Sequence, residues 1–130
     1  MEGCDGGVER DMNAGWYGGC VSVAVNIDQL FADIEMWGFG YLLTVSDDAR
    51  PHLVALKPVV VVDGDQRRLR FDAGGGKACR NAAARPQISV VFPPAAHSDR
   101  FSLVVDGEAI VDGSFVDVRP TWAVLHRPAP

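Results

Sequence analysis

Three consecutive glycines, Gly74, Gly75 and Gly76, stand directly before Lys77, with Arg80 and Asn81 three and four residues further on. Glycine admits positive φ and lets backbone N–H groups crowd towards a ligand. A helix that starts there adds unpaired donors and a partial positive charge. With Lys77 as a point charge near the first helical turn and Arg80 on the neighbouring surface, the pattern reads as a cradle for a phosphate. It matches neither G-x-x-x-x-G-K-[ST], because Ala78 follows Lys77, nor G-x-G-x-x-G, so hydrolysis of a nucleoside triphosphate is not indicated. The same residues also suit a sharp strand-to-helix turn with solvated cations, and local sequence leaves both readings open.

Other chemistry-bearing residues are scattered. His52, His97 and His126 fall in different segments without a metal-ligand spacing, and no serine lies in a G-x-S-x-G context. Cys4, Cys20 and Cys79 are odd in number and form no C-x-x-C, which indicates neither a disulfide framework nor a zinc site. Cys79 reads as a half-buried small residue on an alanine-like face. Asp47 and Asp48 read as turn residues.

The cradle needs elements to hold it. Ile27, Leu30, Phe31, Ile34 and Trp37 recur at helical spacing, with Asn26 or Asp28 as cap and Gly38 as stop. Residues 39–45 and 52–62 read as two β-rich runs joined by a turn over 46–51, and 67–73 as a third strand after the turn Asp63-Gly64-Asp65. Residues 77–87 are alanine-rich and are closed by Pro86, which predicts a short helix. A fourth strand follows in 88–94. Residues 101–116 supply either a hairpin about Asp106-Gly107 or one long strand with a glycine bulge, and the tail 119–130 has room for one helical turn. Short strands joined by tight turns, without regular strand-helix alternation, predict a mainly β protein: a small antiparallel β-barrel with peripheral α-helices.

At 130 residues the chain has room for one domain. Glycine-rich residues 1–25 read as a poorly ordered leader and 26–130 as the barrel domain. A net charge of −5 argues against a nucleic-acid partner. Yet six of the 12 basic residues (Arg67, Arg68, Arg70, Lys77, Arg80 and Arg85) lie between 67 and 85, an island suited to a small anion. No run is long and apolar enough to cross a bilayer, no secretory pattern opens the chain, and a reducing cytoplasm is the expected location.

The order of these features, and above all "LLTVSDDARPHLVAL" and the K-x-x-R-N of 77–81 followed by "ARPQISVVF", resembles the pyridoxamine 5'-phosphate oxidase-like split β-barrel family over about residues 26–118. The resemblance implies a homodimer that holds FMN or the deazaflavin F420 in a groove between subunits, with hydride transfer to an unidentified small organic substrate. It places Lys57, Lys77, Arg80 and Asn81 at the cofactor phosphate, with the amides of Gly75 and Gly76. It sets Thr44, Ser46 and His52 close to the ring or its chain. The basic island would complement the F420 phosphate and polyglutamate tail. A cofactor carrier without turnover, or a member that binds no cofactor, are the alternatives on the same scaffold.

Overall fold

The computed structural model describes residues 19–130. Asn26 opens helix α1 (Ile27–Asp33): its side-chain oxygen accepts the backbone N–H of Asp28 at 2.8 Å and of Gln29 at 3.4 Å. Two of the donors that a helix start leaves bare are thereby satisfied. The chain then tightens into a 3-10 turn (Ile34–Trp37) and stops at Gly38, whose φ of 73° suits glycine. The expected apolar stripe is the one that is buried. Leu30, Ile34 and Trp37 enter the core, with Ile27 and Phe31 packed against it.

Among the described residues, eight strands form one antiparallel sheet: β1 (Cys20–Ala24), β2 (Gly40–Val45), β3 (Pro51–Leu56), β4 (Val59–Asp63), β5 (Gln66–Asp72), β6 (Gln87–Phe92), β7 (Ser102–Asp112) and β8 (Phe115–Pro128). Helix α2 (Gly76–Ala84) lies between β5 and β6. The order is β3-β2-β6-β7-β8-β5-β4, and β1 pairs with the distal half of β8. β3 and β4 are the two ends of that order, yet only Lys57 and Pro58 separate them. Three Cα–Cα steps reach at most about 11 Å, so the sheet must curl until its edges approach. The result is the expected split antiparallel β-barrel with peripheral helices. Phe71, Phe92, Leu42, Leu69, Val90 and Val105 fill its interior with no exposure. Ala78, Cys79 and Ala82 of α2 join them, so Cys79 is a small core residue, buried more fully than expected.

Three expectations change, and one open alternative is decided. The run 52–62 is not one strand: it breaks at Lys57–Pro58, where proline has no N–H to continue a ladder, and its halves go to opposite sheet edges. The tail is not a helical turn but β8, which pairs with β7 along its length, with β5 at one end and with β1 at the other. Of the expected leader, residues 1–18 lie outside the described residues, whereas Cys20–Ala24 form β1, and Cys20 is buried. Residues 102–112 are one strand, with an irregularity between Asp106 and Gly107. No helix among the described residues is long and apolar enough to cross a membrane, and no cluster of three metal-ligating side chains occurs among them.

Candidate functional site

Gly74, Gly75 and Gly76 have φ values of 69°, 78° and 68°. Three successive left-handed residues explain the three glycines, since each L side chain there would strain the backbone. A Cβ on any of them would meet nothing within 4 Å, so the loop faces open space. Among the described residues, no side chain caps the start of α2. Its first-turn N–H groups therefore lack the side-chain partner that Asn26 gives to α1.

Carboxylates, most of them remote in sequence, sort the basic island. Arg67 pairs with Asp28 and lies over the Phe31 ring. Arg68 reaches Asp63 at 3.5 Å, and Arg70 holds Asp117 through two hydrogen bonds of 2.7 and 2.9 Å. Arg85 donates to the Val45 carbonyl at 2.6 Å and pairs with Asp47 at 3.0 Å. Lys77 and Arg80 are exposed and form no ion pair within 4.0 Å among the described residues. These two cations are the ones left for a ligand.

They line an open cavity of about 400 Å³ with Ser46, Asp47, Asp48, Asn81, Ala84 and Arg85. Positions 77, 80, 81 and 84 form one face of α2, turned towards the β2–β3 hairpin. Three cations against two carboxylates leave a modest positive balance, fitting one phosphate better than a polyanion. Ser46 is engaged in the hairpin turn, where its hydroxyl donates to Asp48 and accepts the Arg50 N–H at 3.3 Å. That donation is the main reason the Asp48 carboxyl sits below the usual aspartate range, and Lys77 adds a smaller attraction. A carboxyl whose folded pKa is depressed stabilises the fold above its ordinary pKa and loses this contribution as pH falls through the lowered one. Titration of the Asp48 carboxyl carbon by NMR is expected to show a midpoint below that of an ordinary aspartate, moving upwards in Ser46→Ala. An unmoved midpoint would contradict the assignment to Ser46.

Beneath the cavity, the buried Asn81 side-chain amide donates to Thr44 Oγ1 at 3.2 Å. This bond pins α2 to β2. His52 stands opposite Thr44 in the β2–β3 ladder, and its buried Nδ1 has no hydrogen-bond partner among the described residues. Lys57 is exposed just beyond Leu56, which pairs with Gly40 at the other end of the hairpin, and it does not line this cavity. Of the candidates expected from sequence, the fold brings Ser46, Lys77, Arg80 and Asn81 to one cavity, with Gly75 and Gly76 at the start of its helix. Arg85, expected only as part of the basic island, and Asp47 and Asp48, expected as turn residues, line it too. The helical repeat from Lys77 through Ala84 was the signal for that face, but Arg85 reaches it only because the hairpin folds over the helix.

A larger groove of about 660 Å³ lies between β4 and the end of β7, lined by Val61, Val62, Arg68, Arg70, Ile110 and Asp117 among others. Both of its arginines are already paired with aspartates.

No family model matches the chain. It is 37% identical over 117 residues to the uncharacterized protein Mb0449c of Mycobacterium bovis, and equally to MT0457 of Mycobacterium tuberculosis, a match covering 81% of this chain and 82% of each relative. Among solved structures, the FAD binding protein from Mycobacterium smegmatis superposes with a TM-score of 0.58 at 17% identity, over 82% of this chain and 99% of that one. A putative pyridoxamine 5'-phosphate oxidase from Lactobacillus delbrueckii gives 0.54 at 15% identity, over 77% and 93%. An F420 reductase gives 0.50 at 19% identity, over 71% and 93%. At these identities the likeness is one of fold.

Proposed function

We propose that this chain, which belongs to one family with its two uncharacterized mycobacterial relatives and has the split β-barrel fold of pyridoxamine 5'-phosphate oxidase-like proteins, is a homodimeric oxidoreductase that anchors the phosphate of a flavin-type cofactor at the start of α2. The observation that carries this reading is the coincidence of two uncommitted cations, Lys77 and Arg80, with an uncapped helix start preceded by three left-handed glycines. Amides after Gly75 and Gly76 direct partial positive charge at the anion, and the two side chains add charge-assisted hydrogen bonds. The Asn81–Thr44 bond keeps the helix in register with the sheet. When bound, the cofactor supplies two-electron redox chemistry, while the protein contributes binding, orientation and exclusion of water.

The charge balance favours FMN. Four of the six island cations are spent on carboxylates, and Asp47 and Asp48 stand on the cavity wall, so the match to the F420 polyglutamate tail loses its basis. Among the described residues, the cavity lining contains no aromatic residue and, apart from Ala84, no apolar one. A planar ring therefore lies beyond it, against a wall that a second subunit completes. One sheet face offers that contact. Ala55, Tyr41, Val91, Val104 and Val124 form one cross-strand row, and Leu53, Leu43, Ser89, Asp106 and Trp122 the next. Leu53 is 58% exposed, Tyr41 38% and Trp122 37%, and clustered exposure of this kind marks association surfaces.

The test is an absorbance and fluorescence titration of the purified protein with FMN, F420, FAD and riboflavin, followed by turnover of the reduced cofactor with a panel of organic acceptors. FMN is expected to bind most tightly, and riboflavin much more weakly because it lacks the phosphate. Equal affinity for FMN and riboflavin would overturn the phosphate anchor, and tight binding without turnover would make the protein a carrier. Leu53→Glu, at an exposed strand position, is expected to yield a folded monomer by light scattering and to weaken FMN binding at least tenfold. A dimeric Leu53→Glu with parental affinity would refute the proposed interface.

A further inference from the structure

A second cavity, of about 440 Å³, lies on elements that take no part in the cradle. Its walls come from the end of β1, from α1 and its 3-10 extension, from the loop 93–101, from the start of β7 and from the end of β8. Leu30, Trp37, Leu103 and Leu125 give it an apolar body, with the His97 ring edge-on to Trp37 at 4.8 Å. Among the described residues, the formally charged side chains on its wall are two carboxylates, Asp33 and Asp99, and no lysine or arginine lines it.

The carboxylates differ. Asp99 is engaged by Arg127, whose Nη1 lies 3.3 Å from its carboxylate and 3.1 Å from its carbonyl, and whose guanidinium covers the Phe101 ring. Asp33 receives only a neutral donor, the Gln29 side-chain amide at 2.8 Å, and forms no ion pair among the described residues. The loop that roofs the cavity holds Asp99 and Arg100 at φ values of 50° and 66°, a conformation that residues other than glycine seldom adopt. The ion pair to Arg127 and the two hydrogen bonds between Ser98 Oγ and the backbone of Ala95 hold it there.

We propose that this cavity is a separate binding site for a small organic amine: an apolar body against Trp37, Leu103 and Leu125, and an ammonium group at Asp33. A half-buried carboxylate on an apolar cavity wall, with no ion pair among the described residues, favours positive charge, because an anionic ligand meets a like charge at Asp33 while a neutral one forgoes the charge-assisted bond. Cavities of a few hundred Å³ with apolar walls and few polar groups are the usual form of a small-molecule site. The site stands independently of the flavin reading.

The probe is 2-phenylethylamine, compared with 2-phenylethanol and 3-phenylpropionate, titrated at pH 8 into the full chain while amide and indole N–H signals are followed by NMR. The amine is expected to shift the Trp37 indole signal, with the Trp122 signal unmoved, and to bind at least tenfold more tightly than the alcohol, with the carboxylate weakest. Asp33→Asn is expected to abolish the preference for the amine while leaving the affinity for the alcohol unchanged. Lys77→Ala, in the cradle, is expected to alter none of the three. Absence of shifts at Trp37 with every probe, or an amine preference that survives Asp33→Asn, would overturn the proposal.

Discussion

Replacing Lys77 and Arg80 together with alanine is expected to weaken FMN binding at least a hundredfold while leaving the thermal midpoint of the protein nearly unchanged. A hydrogen bond to a charged group contributes about 1.5–3 kcal/mol, so losing two removes roughly 3–6 kcal/mol, or two to four decades of affinity. Neither side chain supports the fold. Both are exposed, and among the described residues neither has an ion pair to lose. Riboflavin separates anchor from general damage: its affinity should be equal in parent and variant, because the contact being removed is to the phosphate. Isothermal titration with both ligands, beside a melting curve, checks all three statements. An unchanged FMN affinity would remove the helix start from the site even if the protein binds flavin elsewhere.

The largest effect on stability is expected at Gly107, not in the glycine-rich loop. A Cβ there would lie 2.6 Å from the Arg119 carbonyl oxygen and 2.7 Å from Val118 Cγ1. The oxygen belongs to the backbone of β8, the strand on which β1, β5 and β7 all depend, so it cannot swing aside as a flexible side chain would. Gly107→Ala is therefore expected to cost about 2–4 kcal/mol, at the upper end of overpacking effects, and to lower the melting temperature by roughly 10 °C. Gly74→Ala is the comparison. Its Cβ would meet nothing, and the penalty is confined to the positive φ, about 1–2 kcal/mol. Thermal denaturation followed by circular dichroism should rank the two in that order; the reverse order would mean that β8 yields more easily than its threefold pairing implies.

Much of the fold could be read locally. The apolar stripe from Ile27 to Trp37, the capping Asn26 and the stopping Gly38 are signals within a few residues of each other, and the helix forms where they say. The first hairpin and the glycine-to-lysine entry into α2 are local in the same way. The misreadings share the opposite property. β1 is a strand because Cys20 pairs with Pro128 and Ala24 with Val124, partners a hundred residues distant. Prolines disguised β8. Pro120 faces Gly107 beside the register irregularity, where Thr121 is the extra residue and its hydroxyl donates to the Asp106 carbonyl at 3.2 Å. A bulge is one of the few places in a sheet where proline is tolerated.

The site divides along the same line. That glycines, a lysine and an arginine would meet at one helix start followed from sequence alone, because their spacing is set by a single turn of chain. Which cations of the island remain available did not follow, since Arg67, Arg70 and Arg85 are neutralised by Asp28, Asp117 and Asp47, carboxylates that only the closed barrel brings near. Ion pairing falls off with distance in space and is blind to distance along the chain. Six like charges in one segment became two uncommitted ones beside a helix start only when the sheet had curled.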